Sequence, residues 1–314
     1  MYTKKKALIT GVGGQDGSEL AEWLLGKDYE VYGLIRENSN LINIKHLIQN
    51  NRFKLIEGDL INRELMAFII REHQYNEIYN LASQSNIRQS YDSIYDTFSD
   101  TLMGVLSIME GMNKWSPETK LFQGGSSAIF GNSLDEDGYL REETRKEPVS
   151  PYGSAKLFAH NMGINLRENN GLFIINGIMF NHESCKFKKR PGIINTIVEN
   201  AVEIKKGNKK EWHIPDLTIE INIGSSMDYI RAMWFLIQKN IPDDYIIGTD
   251  ETYSIEYCVN FIFKKLGLDY KKYIKTEKKI NNIKYKIDNS KIKNAGFTFM
   301  DNLDKLSDLI INKY

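Results

Sequence analysis

Residues 11–17 read GVGGQDG, and this glycine-rich stretch decides the fold of the chain. It follows the short apolar run 7–10 and precedes residues 18–27, whose apolar side chains recur on one helical face. Gly11 allows a tight turn, Gly14 lets the backbone approach a pyrophosphate, and Gly17 lets the helix pack closely on the strand. The stretch therefore predicts a strand, a phosphate-binding turn and a helix, although a glycine turn without a ligand is the simpler alternative.

The same alternation of strand and helix extends over the first 180 residues. The apolar pattern predicts strands at 7–10, 30–35, 53–57, 77–81, 121–125 and 172–180, and helices at 18–27, 63–72, 94–113 and 151–169. This order predicts an α/β fold, a Rossmann-type, doubly wound parallel sheet with helices on both faces. We assign residues 1–180 to a dinucleotide-binding domain, to which a later segment at about 219–250 returns.

After residue 180 the alternation weakens. The pattern predicts helices at 193–206, 228–238, 254–266 and 303–312, an irregular strand at 212–223, and a loop or edge strand at 271–286. Residues 181–314 are therefore expected to form mainly a smaller, substrate-binding C-terminal lobe.

Composition excludes several classes of partner. Of the 314 residues, 41% are hydrophobic, and 41 basic residues balance 41 acidic ones. This balance indicates no nucleic-acid or membrane partner, and the two cysteines, Cys185 and Cys258, form no metal-binding pattern. No apolar run approaches the roughly 18 residues of a membrane helix. We expect a cytoplasmic enzyme without a metal.

A candidate catalytic pair begins the long helix predicted at 151–169. Tyr152 and Lys156 are four residues apart and share one face of that helix. An ammonium group near a phenol lowers the pKa of the phenol, which can then exchange a proton with a carbinol while hydride moves to nicotinamide. Ser126, at the end of the fifth strand, can donate a hydrogen bond to the same oxygen. Such a spacing alone is usually structural, and the preceding glycine turn gives it weight.

The choice of cofactor depends on the end of the second strand. Arg36 could stack on adenine or pair with a 2′-phosphate, whereas Glu37 would repel a 2′-phosphate. Asp59, after the third strand, could approach the adenine or cap a helix. These residues favour NAD and leave NADP open.

With these residues the chain resembles the extended short-chain dehydrogenases/reductases, and within them the GDP-mannose 4,6-dehydratase family. The resemblance covers about residues 5–265. It rests on the glycine turn with Gln15 and Asp16, on 78–85 (IYNLASQS), on 150–157 (SPYGSAKL), on 176–184 and on 228–234.

The resemblance assigns residues to three roles. The expected catalytic residues are Ser126, Tyr152 and Lys156. The expected cofactor-binding residues are Gly11, Gly14, Gln15, Asp16, Gly17, Arg36, Asp59, Leu60, Leu81, Ser83, Tyr152 and Lys156. The expected residues for a GDP-linked sugar are Ser85, Ser126, Ser127, Asn181 and Arg190.

One departure from the family concerns the reaction itself. The family carries a Glu after the fifth strand that removes the C5 proton and helps water to leave from C6. Here residues 124–131 read GGSSAIFG, and Ala128 stands where the Glu is needed. A methyl group cannot transfer a proton, so the reaction is expected to stop at the 4-keto sugar. Glu183, Asp135 or Glu136 could replace the missing base, although none matches its position.

Other departures concern the nucleotide. The family's phosphate-clamping Arg is lost at 221–224, which reads INIG, and the basic run 186–190 could supply replacement charge or be a solvated loop. The preferred hypothesis is a 4-dehydrogenase of a GDP-linked hexose or heptose. A C4-epimerase, a dehydratase with a relocated base and a catalytically silent cofactor-binding subunit are the alternatives. Extended members of this superfamily commonly pair through the helices at about 94–113 and 151–169, so we expect a homodimer, although these dehydratases also form tetramers.

Overall fold

The computed structural model describes residues 4–186, 192–277 and 284–314. Its strands are β1 Lys6–Thr10, β2 Glu30–Ile35, β3 Phe53–Glu57, β4 Glu77–Asn80, β5 Lys120–Gly124, β6 Tyr139–Leu140, β7 Ile174–Met179, β8 Asn181–Glu183, β9 Trp212–His213, β10 Glu220–Ser225, β11 Asp244–Ile247, β12 Thr252–Ser254, β13 Ile274–Lys275 and β14 Lys286–Ile287.

The α-helices are α1 Gln15–Gly26, α2 Arg63–His73, α3 Ile87–Asp92, α4 Ile94–Phe98, α5 Gly104–Trp115, α6 Pro151–Asn170, α7 Ile193–Lys205, α8 Ser226–Ile237, α9 Ile255–Lys265, α10 Ser290–Asn294 and α11 Leu303–Ile311. The single helix expected at 94–113 is instead α4 and α5 joined by a π-helical turn, Ser99–Met103. Such turns insert one residue into a helix and frequently lie at functional sites.

Two compact units divide the chain. The first comprises Met1–Ser133, Glu142–Met179 and Ile230–Ile247, and the second comprises Leu134–Arg141, Phe180–Tyr229 and Gly248–Tyr314. Strand β10 lies in the second unit because it pairs with β8 and β12. Of the segment 219–250, only residues 230–247 thus belong to the first unit.

The first unit contains a parallel sheet in the order β3-β2-β1-β4-β5-β7-β11 among the described residues. Every neighbouring pair in it is parallel. The order up to β7 is that of a doubly wound dinucleotide-binding sheet, which confirms the expected fold class. Because the strands are parallel, the loops after β1, β2, β4 and β5 meet at one edge of the sheet.

Apolar side chains of the sheet and of two helices form the core of the first unit. Leu8, Ile78 and Leu121 of the sheet pack in one cluster with α2 and α5. Each fully buried side chain of this size contributes about 1.5–3 kcal/mol to the free energy of unfolding. This packing fixes the sheet edge on which the candidate site is built.

The second unit has its own core. Apolar residues of α7, α9 and α11 pack with Ile221 and Ile223 of β10 in one cluster. Strands β8, β10 and β12 form a small sheet, and β6 with β14 and β9 with β13 form parallel pairs among the described residues.

Candidate active site

The glycine turn after β1 has the conformation that the sequence predicts. Gly11 has a φ of 70°, and a Cβ atom there would lie 3.0 Å from the backbone of Ala82. A side chain at Gly17 would overlap the carbonyl oxygen of Gly11, so α1 can approach β1 only through a glycine. Gly14 is the N-cap of α1, and no side chain caps the helix there. This cradle fits the pyrophosphate of a dinucleotide, because the amides and dipole of a helix N-terminus favour an anion.

A buried polar network holds the loop after β4 beside this turn. The Thr10 hydroxyl donates to Asn80 Oδ1 at 2.6 Å and accepts the backbone N–H groups of Leu81 and Ala82 at 3.2 Å. Asn80 Nδ2 in turn donates to Gln123 Oε1 at 2.9 Å. No motif in the sequence pointed to this network, although polar residues at the ends of apolar strands were a visible signal.

The residues expected in the loop after β4 differ in exposure. Ser83 is half-buried and Ser85 is exposed. Asn43, which no sequence motif pointed to, donates from its amide to the carbonyl oxygen of Gly13 at 2.9 Å. Asn43 thereby fixes the outer side of the glycine turn.

An ionic cluster occupies the end of β2. Arg36 Nη2 lies 2.7 Å from Asp100 Oδ2, and Arg36 Nε lies 3.4 Å from Asp59 Oδ2. The hydrogen bond with Asp100 raises the pKa of the Arg36 guanidinium. Asp100 belongs to the π-helical turn, and no sequence motif pointed to it. Leu60, expected beside the cofactor, directs its side chain into the core of the first unit.

Helix α6 positions the Tyr–Lys pair. The Ser150 hydroxyl accepts the backbone N–H of Gly153 at 3.0 Å, and Pro151 fills the first turn. Ser126 lies directly after β5, and its hydroxyl lowers the pKa of Tyr152, against the larger effect of burial. Lys156 Nζ donates to the carbonyl oxygen of Gly124 at 2.8 Å. The structure thus brings Ser126, Tyr152 and Lys156 together at the end of β5.

The electrostatics of this trio differ from the expectation in one respect. We expected Lys156 to lower the pKa of Tyr152, and this was wrong, because burial raises the pKa of the phenol. Burial also lowers the pKa of Lys156 from its ordinary value of 10.5 to about 8. The ammonium lies 5.9 Å from the Tyr152 ring and bonds to a carbonyl group instead.

Asp16 links the glycine turn to the trio. Its negative charge raises the pKa of both Tyr152 and Lys156, in opposition to the effect of burial on Lys156. Gln15 donates from Nε2 to Asp16 Oδ1 at 3.0 Å. The charge of Asp16 in the glycine turn therefore acts on both catalytic groups.

Ala128 occupies a short 3₁₀ turn, Ser127–Ile129, between β5 and α6. The Ser126 hydroxyl accepts the backbone N–H of Ala128 at 3.2 Å. A Cβ atom at Gly153 would lie 2.6 Å from the Ala128 carbonyl oxygen, so this turn sits tightly on α6. The Ala128 residue itself is half-buried rather than sealed in the core.

In the second unit, the Glu183 carboxylate caps the N-terminus of α7. Its carboxylate accepts the N–H groups of Ile194 at 2.8 Å and Asn195 at 2.9 Å, and the Asn195 amide at 2.8 Å. Gly192 is required beside it, since a Cβ atom there would overlap the carboxyl group. Burial raises the pKa of Glu183 even so. Glu183 therefore stabilises a helix N-terminus rather than standing ready as a base.

The other two candidate bases lie on the second unit's segment Leu134–Arg141. Asp135 Oδ2 pairs with Arg141 at 2.8 Å, and Glu136 is exposed. Asn181, expected at the substrate, is exposed at the start of β8, and its carbonyl oxygen accepts the Tyr229 hydroxyl at 3.2 Å. Arg190 and most of the basic run 186–190 lie outside the described residues.

Asn222 stands near the point where the family's clamping Arg is lost. Its side chain is fully buried and bonds to Thr249 N at 3.0 Å, Thr249 O at 2.8 Å and Glu251 O at 2.9 Å. It is therefore part of the fold and does not replace the lost charge.

Neither a metal-binding cluster nor a membrane-spanning helix is found in the part of the chain that is described. No group of three or more His, Cys, Asp or Glu side chains there could hold a metal ion. None of the helices described is both long enough and apolar enough to span a membrane.

The sheet order, the glycine turn and the Ser–Tyr–Lys trio together define an NAD(P)-dependent enzyme of the extended short-chain dehydrogenase/reductase class. A family model described as GDP-mannose 4,6 dehydratase matches residues 8–303. A GDP-mannose 4,6-dehydratase of Vibrio cholerae is 35% identical over 274 residues, which cover 84% of this chain and 73% of the relative. GDP-mannose 4,6 dehydratase 2 of Arabidopsis thaliana is 34% identical over 288 residues, which cover 88% and 76%. The chain belongs to the GDP-mannose 4,6-dehydratase family.

Solved structures agree on the fold. A dTDP-glucose 4,6-dehydratase from Bacillus anthracis in complex with NAD superposes with a TM-score of 0.85 at 22% identity, covering 99% of this chain and 96% of that one. A UDP-glucose 4-epimerase from Thermotoga maritima with UDP-glucose superposes with a TM-score of 0.85 at 21% identity, covering 98% of each chain. At these identities the likeness concerns the fold alone.

Proposed function

We propose that this enzyme oxidises the C4 hydroxyl of a GDP-linked hexose or heptose to a ketone, with NAD as oxidant and without loss of water. The observation that carries the proposal is the pairing of an assembled Ser126–Tyr152–Lys156 trio with an alanine at position 128. The trio suits proton transfer at a carbinol. The alanine leaves the second half of the family reaction without its base.

The oxidation requires one proton and one hydride to leave the sugar. Nicotinamide, when bound, supplies the acceptor for the C4 hydride. Tyr152, as the phenolate, takes the proton of the C4 hydroxyl, and Ser126 orients that hydroxyl by a hydrogen bond. Lys156 would hold the ribose of a bound cofactor and, with its pKa near 8, is a cation at neutral pH. The Ser126 hydroxyl, not Lys156, counteracts the burial that raises the pKa of Tyr152.

Dehydration would require a further group that removes the C5 proton and protonates the leaving C6 hydroxyl. Relatives at about 35% identity are named dehydratases. The proposal that this enzyme does not remove water therefore rests on the alanine at position 128. Of the three carboxylates that could compensate, Glu183 is bound by three donors of Ile194 and Asn195. Asp135 is paired with Arg141 at 2.8 Å, and Glu136 is exposed. We infer that no relocated base completes the dehydration.

NAD is proposed over NADP because acidic groups surround Arg36. Both Asp59 and Asp100 pair with it, and Glu37 adjoins it in the sequence. A 2′-phosphate would approach three carboxylates and one guanidinium, which disfavours its binding. Family membership supports GDP as the carrier, and we propose Ser85, Ser127, Asn181 and Arg190 as residues that contact the sugar nucleotide.

The proposed assembly is a cytoplasmic homodimer formed through α4–α5 and α6. Apolar side chains that are exposed on α4 support this pairing, namely Ile94 and, with 83% of its surface exposed, Tyr95. Contiguous exposed apolar side chains typically mark an interface. Both cysteines are free, which fits a reducing compartment.

The test is whether reduced cofactor accumulates in a single turnover. Enzyme at substrate-level concentration is mixed with NAD and with GDP-hexoses or GDP-heptoses, and NADH is followed by its near-ultraviolet absorbance. A 4-dehydrogenase leaves about one NADH per active site. A dehydratase or an epimerase returns the hydride to the sugar, so a substrate that is converted without lasting NADH refutes the proposal. Tyr152→Phe is the control that forms no NADH.

A further inference from the structure

The ionic cluster at the end of β2 bears on which cofactor the enzyme accepts. Strands β1 and β2 are parallel neighbours, with Thr10 opposite Leu34. Arg36 therefore lies at the same edge of the sheet as the glycine turn. In dinucleotide-binding sheets this position meets the adenosine ribose, where an Asp or Glu selects the 2′-hydroxyl and an Arg accommodates the 2′-phosphate.

Arg36 is already engaged by two carboxylates of the chain. Its Nη2 lies 2.7 Å from Asp100 Oδ2, and only 22% of the Asp100 side chain is exposed. The contact to Asp59 is longer, at 3.4 Å, and 38% of the Asp59 side chain is exposed. Asp100 is thus the closer and the more buried partner. Screening by solvent weakens its interaction less than that of Asp59.

The π-helical turn Ser99–Met103 carries Asp100. An extra residue in one turn rotates the following side chains relative to an unbroken α-helix. The neighbouring Thr101 is buried, and its hydroxyl has no hydrogen-bond partner among the described residues. A buried hydroxyl without a partner costs free energy, so this turn is maintained against a local penalty while it holds Asp100 against Arg36.

We propose that Asp100 is the residue that makes this enzyme select NAD, because it occupies the guanidinium that would otherwise bind a 2′-phosphate. The inference deepens the proposed preference for NAD and does not depend on which sugar is oxidised. In the wild-type protein the planar guanidinium of Arg36 remains at the end of the cofactor site that would receive the adenine. Its charge is balanced within the chain, and the net negative charge of the cluster opposes the phosphate of NADP.

The test is a titration of the full-length protein with NAD and with NADP, without sugar, in a calorimeter. Asp100→Asn keeps the shape of the side chain and removes its charge. We expect NADP to bind on the order of 10-fold more tightly to this variant, with the dissociation constant for NAD changed less than about twofold. The gain should shrink at high ionic strength, because the interaction is between charges.

Two controls separate this mechanism from a general change in the protein. Asp96→Asn removes an exposed carboxylate four residues earlier and should leave the ratio of the two dissociation constants unchanged. Adding Arg36→Gln to Asp100→Asn should remove most of the gain, because the freed guanidinium is then absent. Asp100→Ser provides a second uncharged variant if Asp100→Asn folds poorly.

Several outcomes overturn the inference. An unchanged ratio in Asp100→Asn, an equal effect of Asp96→Asn, or an undiminished gain in the double variant would each refute the role of Asp100. Wild-type protein that binds NADP more tightly than NAD would refute both this role and the proposed cofactor. None of these results depends on the sugar product. The cofactor preference is therefore tested separately from the type of reaction.

Discussion

Lys156 offers a direct test of the electrostatics at the candidate site. It is buried, and burial lowers its pKa from 10.5 to about 8. One unit of pKa shift corresponds to about 1.4 kcal/mol, so holding the ammonium in this place costs about 3 kcal/mol at neutral pH. Lys156→Met removes the charge and keeps a flexible apolar chain of similar length. The lost hydrogen bond leaves the Gly124 carbonyl oxygen with a longer one, from Gln123 Nε2 at 3.3 Å.

The pH dependence gives the sharpest form of this prediction. Between pH 8 and 10.5 the unfolded chain holds a proton on Lys156 that the folded chain has lost. The contribution of Lys156 to the free energy of unfolding therefore rises with pH in this window, and below pH 8 the full penalty applies. We expect the stability advantage of Lys156→Met over wild type to fall by about 2 to 3 kcal/mol between pH 7 and pH 10.

The assay is urea-induced unfolding of the ligand-free protein at several pH values, followed by circular dichroism. Lys45→Met is the matched control, because Lys45 is exposed. The difference in free energy of unfolding between this variant and wild type should be the same at every pH tested. Lys156→Met should also abolish oxidation of the sugar, so that stability and activity move in opposite directions. A stability difference between Lys156→Met and wild type that is flat from pH 7 to 10 would refute the reasoning.

Three further predictions concern neighbouring residues and the assembly. Tyr152→Phe should lower turnover by on the order of 10²–10⁴-fold while NAD binding by calorimetry is kept, whereas Tyr91→Phe should retain activity, and equal losses would contradict the proton-transfer role. Glu183→Gln should lower the free energy of unfolding in urea by about 1–3 kcal/mol without changing the mass of the product, and a changed product would make Glu183 a base. Sedimentation should show a dimer that Tyr95→Glu weakens, and a wild-type monomer would exclude the proposed interface.

Six of the seven strands described for the central sheet could be predicted from the sequence, because each is a largely apolar run next to a helix with one apolar face. Strand β11, Asp244–Ile247, was missed. The bounds of β2 and β3 agree with the expected 30–35 and 53–57. The break at Ser99–Met103 could not be foreseen, since a π-helical turn keeps the apolar character of the helix and changes only its phase. Strand β10 was mistaken for part of the long run 212–223 because its partners, β8 and β12, are distant in the sequence.

The residues of the candidate site also divide into those that the sequence predicts and those that only the structure reveals. Gly11, Tyr152 and Lys156 lie within motifs of fixed spacing, so local sequence was enough to find them. Asp100 is recognised only through its contact with Arg36, 64 residues away in the sequence numbering. The direction of the pKa shift of Tyr152 depends on burial, which spacing alone does not measure.

The most direct test of the central claim is the mass of the sugar nucleotide that the wild-type enzyme produces, measured beside that of Ala128→Glu. Both are incubated with the converted GDP-sugar and NAD, and the product is analysed by mass spectrometry. The account predicts that wild type removes two hydrogen atoms and that Ala128→Glu begins to release water, because the half-buried turn at position 128 regains a carboxyl group. Loss of water from the wild-type product would contradict it, as would an unchanged mass with altered chromatographic mobility, which indicates an epimerase.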